Sequence, residues 1–229
     1  MDFNIRNLYV LVLGSVEVWI TETHRNTWII MGILILASII VRVKLKNFKD
    51  VPTGFQNFVE LVVETFDGFV QSSAGKKLSY LGPWFFMVFF FILISNLSAL
   101  VPTVRPPTAD WATTLPLAMV SFVLIQVMGC KYQGKAYLRS IFLEPHIAFA
   151  PLNILGEVAR PISLSFRLFG NMMAGVILIG LLYGIAPLVV RIGLPVVLHG
   201  YFDLFAAILQ TYIFCILSLS FIGVAAGAD

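Results

Sequence analysis

Charge is what this sequence has least of. Only 12% of its 229 residues are Asp, Glu, Lys or Arg, about half the share of an ordinary soluble domain. With so little polar surface the chain cannot coat a globule of this mass against water, so a soluble fold is excluded. Cysteine is nearly absent. Cys130 lies beside a lysine and Cys215 inside an apolar run, which excludes a disulfide framework. Histidine is equally sparse: His24 and His146 lie near the ends of apolar runs with no ligand-type partners at metal spacing, so no metal site is read. No cofactor-binding motif is read either. The chain holds no HExxH or GxSxG string and a single aspartate inside its apolar runs, which excludes an intramembrane protease built on zinc, serine or paired aspartates. It also lacks the internal repeat of many secondary transporters.

What is present is hydrocarbon: 59% of the residues are apolar and the mean hydropathy is +0.93. The net charge of +3 does not point to nucleic acid, because the basic residues gather beside apolar runs, where orientation in a bilayer explains them. Lipid is the expected surrounding. An apolar patch at Leu8 to Leu13 is soon followed by Glu17 and has no small-residue cleavage site, so these residues read as mature protein and not as a leader.

A bilayer core about 30 Å thick needs roughly 20 apolar helical residues. Charge-free runs at Asn26–Val41, Leu78–Val104 and Trp111–Cys130 meet that need. Pro102, Pro106 and Pro107 break the chain between the second and third, making them a hairpin. Between the first two spans, Phe55, Phe58, Val59, Val62, Phe66, Phe69 and Val70 recur at three and four. Glu60, Glu64, Asp67 and Gln71 take the other face. That pattern predicts an amphipathic helix in the membrane surface, its acidic face turned to a protein neighbour or to solvent. The last two apolar stretches are about forty residues each, on the order of 60 Å of helix. They are expected to tilt steeply, or to kink at Pro151, Pro161, Pro187 and Pro195.

The predicted class is therefore an all-α integral membrane protein in one membrane domain, residues 1–229. It has about five membrane helices, at 27–43, 80–101, 111–130, 145–184 and 188–227, with the surface helix at 54–72. The last two form a long, steeply tilted hairpin. Nine basic residues (Arg42, Lys44, Lys46, Lys49, Lys76, Lys77, Lys131, Lys135 and Arg139) fall on one side, against Arg6, Arg25, Arg105 and Arg191 on the other. The positive-inside rule then puts the amino terminus outside and the carboxyl terminus in the cytoplasm.

Four ionisable groups lie where hydrocarbon is expected: Glu157, Arg160 and Arg167 in the fourth span and Asp203 in the fifth. Each costs about 2.5–3.5 kcal/mol on insertion scales. Glu157 and Arg160 stand at helical neighbour spacing and can pair with each other. Arg167 has no acid three or four residues away, and a guanidinium cannot shed its charge. Its counter-charge must be Asp203 or a carboxylate on another polypeptide, and a pair at 4 Å is worth about 4 kcal/mol by either route at an effective dielectric of about 20. Placement favours the second. His199, Asp203 and Gln210 are spaced by four and seven, a polar stripe that lines something wet. Glu157 lies on the opposite side of Arg167 from that stripe. Ser163, Gly170, Ala174 and Gly175 keep the surroundings of Arg167 small, so that a neighbouring helix can approach.

At these residues the sequence resembles the a subunit of bacterial rotary F-type ATP synthases, chiefly through Pro161-Ile-Ser-Leu-Ser-Phe-Arg-Leu-Phe-Gly-Asn-Met-Met-Ala-Gly175. Asn96 to Pro102, the Pro107-Thr-Ala-Asp-Trp-Ala-Thr-Thr run, and Gln210 followed by Tyr212-Ile-Phe extend the likeness, while the first twenty-five residues carry none of it. The resemblance implies a non-catalytic, ion-translocating stator subunit of the bacterial plasma membrane. Its implied partners are a ring of c subunits, b-type peripheral stalk subunits and the rest of the synthase. Arg167 matches the family's essential arginine, with Asn171 and Gln210 as neighbouring amides. Ring carboxylates would carry protons, or in some members sodium ions, between two offset half-channels. Many relatives place a glutamate nine residues after the arginine, where this chain has Val176; Asp203, alone or with His199, is then expected to serve the outer half-channel, with Ser163 near the arginine and Glu157 in the cytoplasmic half-channel. The alternative is a self-contained ion channel or secondary transporter.

Overall fold

The computed structural model describes residues 7–13, 16–46, 54–101, 104–143, 147–185 and 187–227. Arg6, Lys49, Pro102, Pro145 and His146 lie outside the described residues, as does the side chain of Arg191. Two strands, β1 (Asn7–Leu13) and β2 (Val16–Thr21), pair antiparallel at the amino end. Helices follow: α1 (Glu22–Lys44), α2 (Phe55–Ala74), α3 (Gly82–Leu97), α4 (Trp111–Tyr132), α5 (Lys135–Leu143) and α6 (Ala150–Ile185). Then come α7 (Leu188–His199), a wide π turn at Gly200–Phe205, and α8 (Ala206–Ala226). Five helical stretches are long and apolar enough to cross a bilayer: Glu22–Lys44, Lys76–Leu100, Trp111–Tyr132, Ala150–Ile185 and Gly193–Ala226.

The all-α reading holds for the membrane part, but the hairpin at the amino end was not foreseen. Its β-branched residues, Val10 and Val12 opposite Trp19 and Glu17, favour extended chain over helix. Thr21 ends the second strand and caps α1, its hydroxyl accepting from the backbone N–H of His24 at 3.4 Å. Glu22 in the first turn and Arg42 and Lys44 in the last complement the helix dipole. Within α1 only Thr23, Asn26 and Ile30 are buried, so nearly all its apolar surface faces outward. Two polar contacts hold its start to the loop before α4: Thr23 Oγ1 donates to Asp110 at 2.7 Å, and Asn26 Nδ2 to the Arg105 carbonyl at 2.9 Å.

The core forms around α8, which α2, α3, α4 and α6 surround. Phe85, Ile92, Leu168, Phe214, Leu219 and Ile222 are almost fully buried there. The second half of α2 packs one face into this core. Val70 and Ala74 are enclosed, Phe66 meets the rings of Phe86 and Phe89 edge-on, and Gly223 of α8 admits the α2 backbone. A Cβ at Gly223 would lie 3.1 Å from Ala74 Cα. The first half of α2 keeps Phe58 and Leu61 exposed, as an interfacial helix does.

The 36 residues of α6 span about 54 Å. Pro161 sits inside the helix without ending it, whereas Pro187 precedes α7 and marks the turn of the carboxyl-terminal hairpin. Contacts at the helix ends include Lys44 over the Phe55 ring, Lys131 over the Tyr80 ring, and Gln133 at the end of α4 donating to the Val224 carbonyl near the end of α8.

Candidate functional site

Leu164, Leu168, Met172 and Gly175 recur at three and four along α6 and are buried. They fix the rotation of the helix, since this stripe must face α4 and α8. Ser165 reinforces it, its hydroxyl 3.3 Å from that of Thr114 on α4, both enclosed. Ser163, Phe166, Arg167 and Gly170 consequently point away from the chain's own core and are exposed, with Asn171 half-buried beside them. Trp111 stacks on Phe166 at 5.3 Å and closes one flank.

Among the described residues Arg167 has no ion pair and no hydrogen bond; Asp203 and Glu157, the acids of the last two spans, are engaged elsewhere. Asp203 pairs with His199 Nδ1 one turn earlier, and Glu157 pairs with Arg160 at 2.7 Å. The internal Arg167–Asp203 pair that the residue types allowed is not formed.

Asp203 sits on the π turn, 4% exposed. Single π turns inside helices widen the backbone locally and recur at functional sites. Here the turn packs against α6 at Gly175, where an added Cβ would meet Phe202 Cβ at 3.1 Å. Asp203 and His199 open onto a cavity of about 380 Å³, which Val176, Tyr183, Arg105 and Val104 also line. Val176, the position lacking a glutamate, thus faces the same space as Asp203.

A second cavity, of about 550 Å³, lies toward the start of α6 and the end of α8. Glu157, Arg160, Tyr137, Asn153 and Gln133 give it a polar lining, and Phe221 and Val224 close it on the α8 side. Glu157 accepts a second hydrogen bond from Gln126 Nε2 at 3.0 Å, and Arg160 lies over the Phe221 ring at 5.3 Å. Tyr137 of α5 donates to Gln126 Oε1 at 3.2 Å. Burial, helped by the nearby Glu157 charge, pushes the Tyr137 phenol up to about 12. It therefore stays a proton-bearing donor at ordinary pH. Neither Gln126 nor Tyr137 was singled out from sequence, since each stands on a different helix from Glu157 and no spacing rule joins them.

Arg167 lies between the two cavities. Ten residues separate it from Glu157 and nine from Val176, about 15 Å along the axis in either direction. Gln210 of α8 is buried, and its Nε2 has no hydrogen-bond partner among the described residues. Such an amide is costly to leave dry and accommodates a water or a polar group from a neighbour.

A family model described as "ATP synthase A chain" matches residues 26–223. ATP synthase subunit a of Moorella thermoacetica is 32% identical over 220 residues, covering 96% of this chain and 96% of the relative. The same-named subunit of Geobacter sulfurreducens is 35% identical over 200 residues, 86% of this chain and 83% of the relative. That of Desulfosudis oleivorans is 37% identical over 208 residues, 85% and 83% of the two chains.

Proposed function

Since the chain belongs to the ATP synthase A chain family, a multi-pass stator subunit of the synthase's ion-translocating membrane sector, we propose that Arg167 faces the carboxylates of a rotating ring and that the two cavities are its half-channels. The observation that carries this reading is an exposed guanidinium, without a partner among the described residues, between two separate cavities that each hold ionisable side chains. A permanent cation there draws each arriving ring carboxylate into its charged form, which releases the ion it carried. The same charge repels free cations, so no ion crosses directly from one cavity to the other. Each ion must travel with the ring.

In the synthesis direction an ion enters through the Asp203 cavity. Asp203 and His199 form the relay on that side, the pair taking over the place left apolar by Val176. After a turn of the ring the ion leaves past Arg167 into the Glu157 cavity. Gln210 and Asn171 orient the guanidinium and its water, and Ser163 and Gly170 leave room for the ring helix. Each elementary charge crossing 100 mV supplies about 2.3 kcal/mol for rotation. The end bearing Lys44, Lys76 and Lys131 lies toward the cytoplasm of a bacterial plasma membrane, and b-type stalk subunits hold the chain still.

The test is ion flux. Reconstituted alone in vesicles under a membrane potential, the chain is expected to pass almost no protons or sodium ions, whereas the chain assembled with the ring and the rest of the synthase couples flux to ATP synthesis. Rapid flux through the isolated chain would contradict the stator reading and mark a self-contained channel.

A further inference from the structure

Glu157 carries both oxygens occupied: Arg160 on Oε1 and Gln126 Nε2 on Oε2. Behind Gln126 stands Tyr137, whose hydroxyl donates to the amide oxygen. Three helices, α5, α4 and α6, are joined by this chain. Its polarity is fixed at both ends. Turning the amide over would aim its carbonyl at a carboxylate, and the phenolic hydrogen of Tyr137 supplies the donor that the carbonyl needs. Every donor therefore points toward Glu157.

We propose that Gln126 and Tyr137 are positioning residues that lock the Glu157 carboxylate, through this hydrogen-bonded chain, in one orientation at the wall of the second cavity. Tyr137 itself is held by shape. It is 5% exposed and lies against Gly129, where any Cβ would come within 2.6 Å of the ring. The only other described charged group lining this cavity is Arg160 on α6 itself; α8 brings Phe221, Val224 and Ala225, none of them titratable. With its two oxygens tied from α4 and α6, Glu157 keeps one orientation at the cavity wall. It stays at the exit as the ion's next stop. This inference rests on reading the second cavity as a half-channel.

The test is ATP-driven proton pumping by the assembled complex in inverted vesicles, with assembly checked by the amount of complex recovered. Gln126→Leu keeps the bulk and removes the amide; it is expected to slow pumping about tenfold, the scale of one hydrogen bond to a charged group. In a Glu157→Gln background the same change is expected to cost nothing further. Tyr137→Phe keeps the ring over Gly129 and is expected to shift the Glu157 carboxylate stretching band in infrared difference spectra, although Tyr137 never touches Glu157. Equal losses in both backgrounds, or an unmoved band, would overturn the positioning role. Full-rate pumping by Glu157→Gln alone would instead overturn the cavity's place on the ion path.

Discussion

Replacing Gly175 by leucine presses on the turn that carries Asp203. A Cβ at Gly175 would stand 3.1, 3.3 and 3.5 Å from Phe202 Cβ, Cγ and Cδ1, so even alanine requires its neighbour to give by a few tenths of an ångström. Leucine adds three more carbons to the same occupied space, an overpacking worth about 1–3 kcal/mol. The element expected to yield is the π turn Gly200–Phe205, a single-turn departure from the α-helix that carries both Phe202 and Asp203. Asp203 moves with Phe202. A misplacement of about 1 Å at a reacting group costs on the order of a hundredfold. Gly175→Ala is therefore expected to retain ATP synthesis within about twofold, and Gly175→Leu to lose about ten- to a hundredfold, both assayed in vesicles with matched amounts of assembled complex. Wild-type rates with leucine, or equal damage from alanine and leucine, would refute the coupling between this packing contact and the Asp203 cavity.

Arg167→Ala removes a pair worth about 4 kcal/mol at 4 Å and an effective dielectric of about 20, so ion-driven ATP synthesis should vanish while the complex still assembles; normal synthesis would end the proposed role. Asp203→Asn keeps the shape of the His199 contact but not its charge, and should slow coupled transport; an unchanged rate removes Asp203 from the relay. Gly129→Ala places a carbon 2.6 Å from the Tyr137 ring and should push α5 away from α4, seen as faster proteolysis within residues 135–143. Unaltered cleavage would show that the α4–α5 contact is looser than described.

The spans were legible because charge is so scarce: runs free of Asp, Glu, Lys and Arg can hardly be anything but membrane helices, although Pro187, read only as a possible kink, proves to be the turn of the long hairpin. The outward direction of Arg167 was legible from the small residues beside it, of which Ser163 and Gly170 share its exposed face, whereas Gly175 lies on the buried face against Phe202. The wide turn at Gly200–Phe205 was not. Its residues suit an α-helix equally well, and no spacing in the sequence marks the stretch that packs Phe202 on Gly175. The burial of the second half of α2 was hidden for a similar reason. An apolar stripe of Phe66 and Val70 reads the same whether it meets lipid or α8. The β1–β2 pairing depends on a partner strand across two residues, and the apolar patch at Leu8–Leu13 alone gave no register.

The most direct measurement is the distance, in the assembled synthase, from the Arg167 guanidinium to the nearest carboxylate, together with the identity of the chain that bears it. The expected result is a ring-subunit carboxylate within about 4 Å or one bridging water away, with Asp203 still on His199 and Glu157 still on Arg160. A guanidinium bound to either of those two acids, with no ring residue in reach, would contradict it.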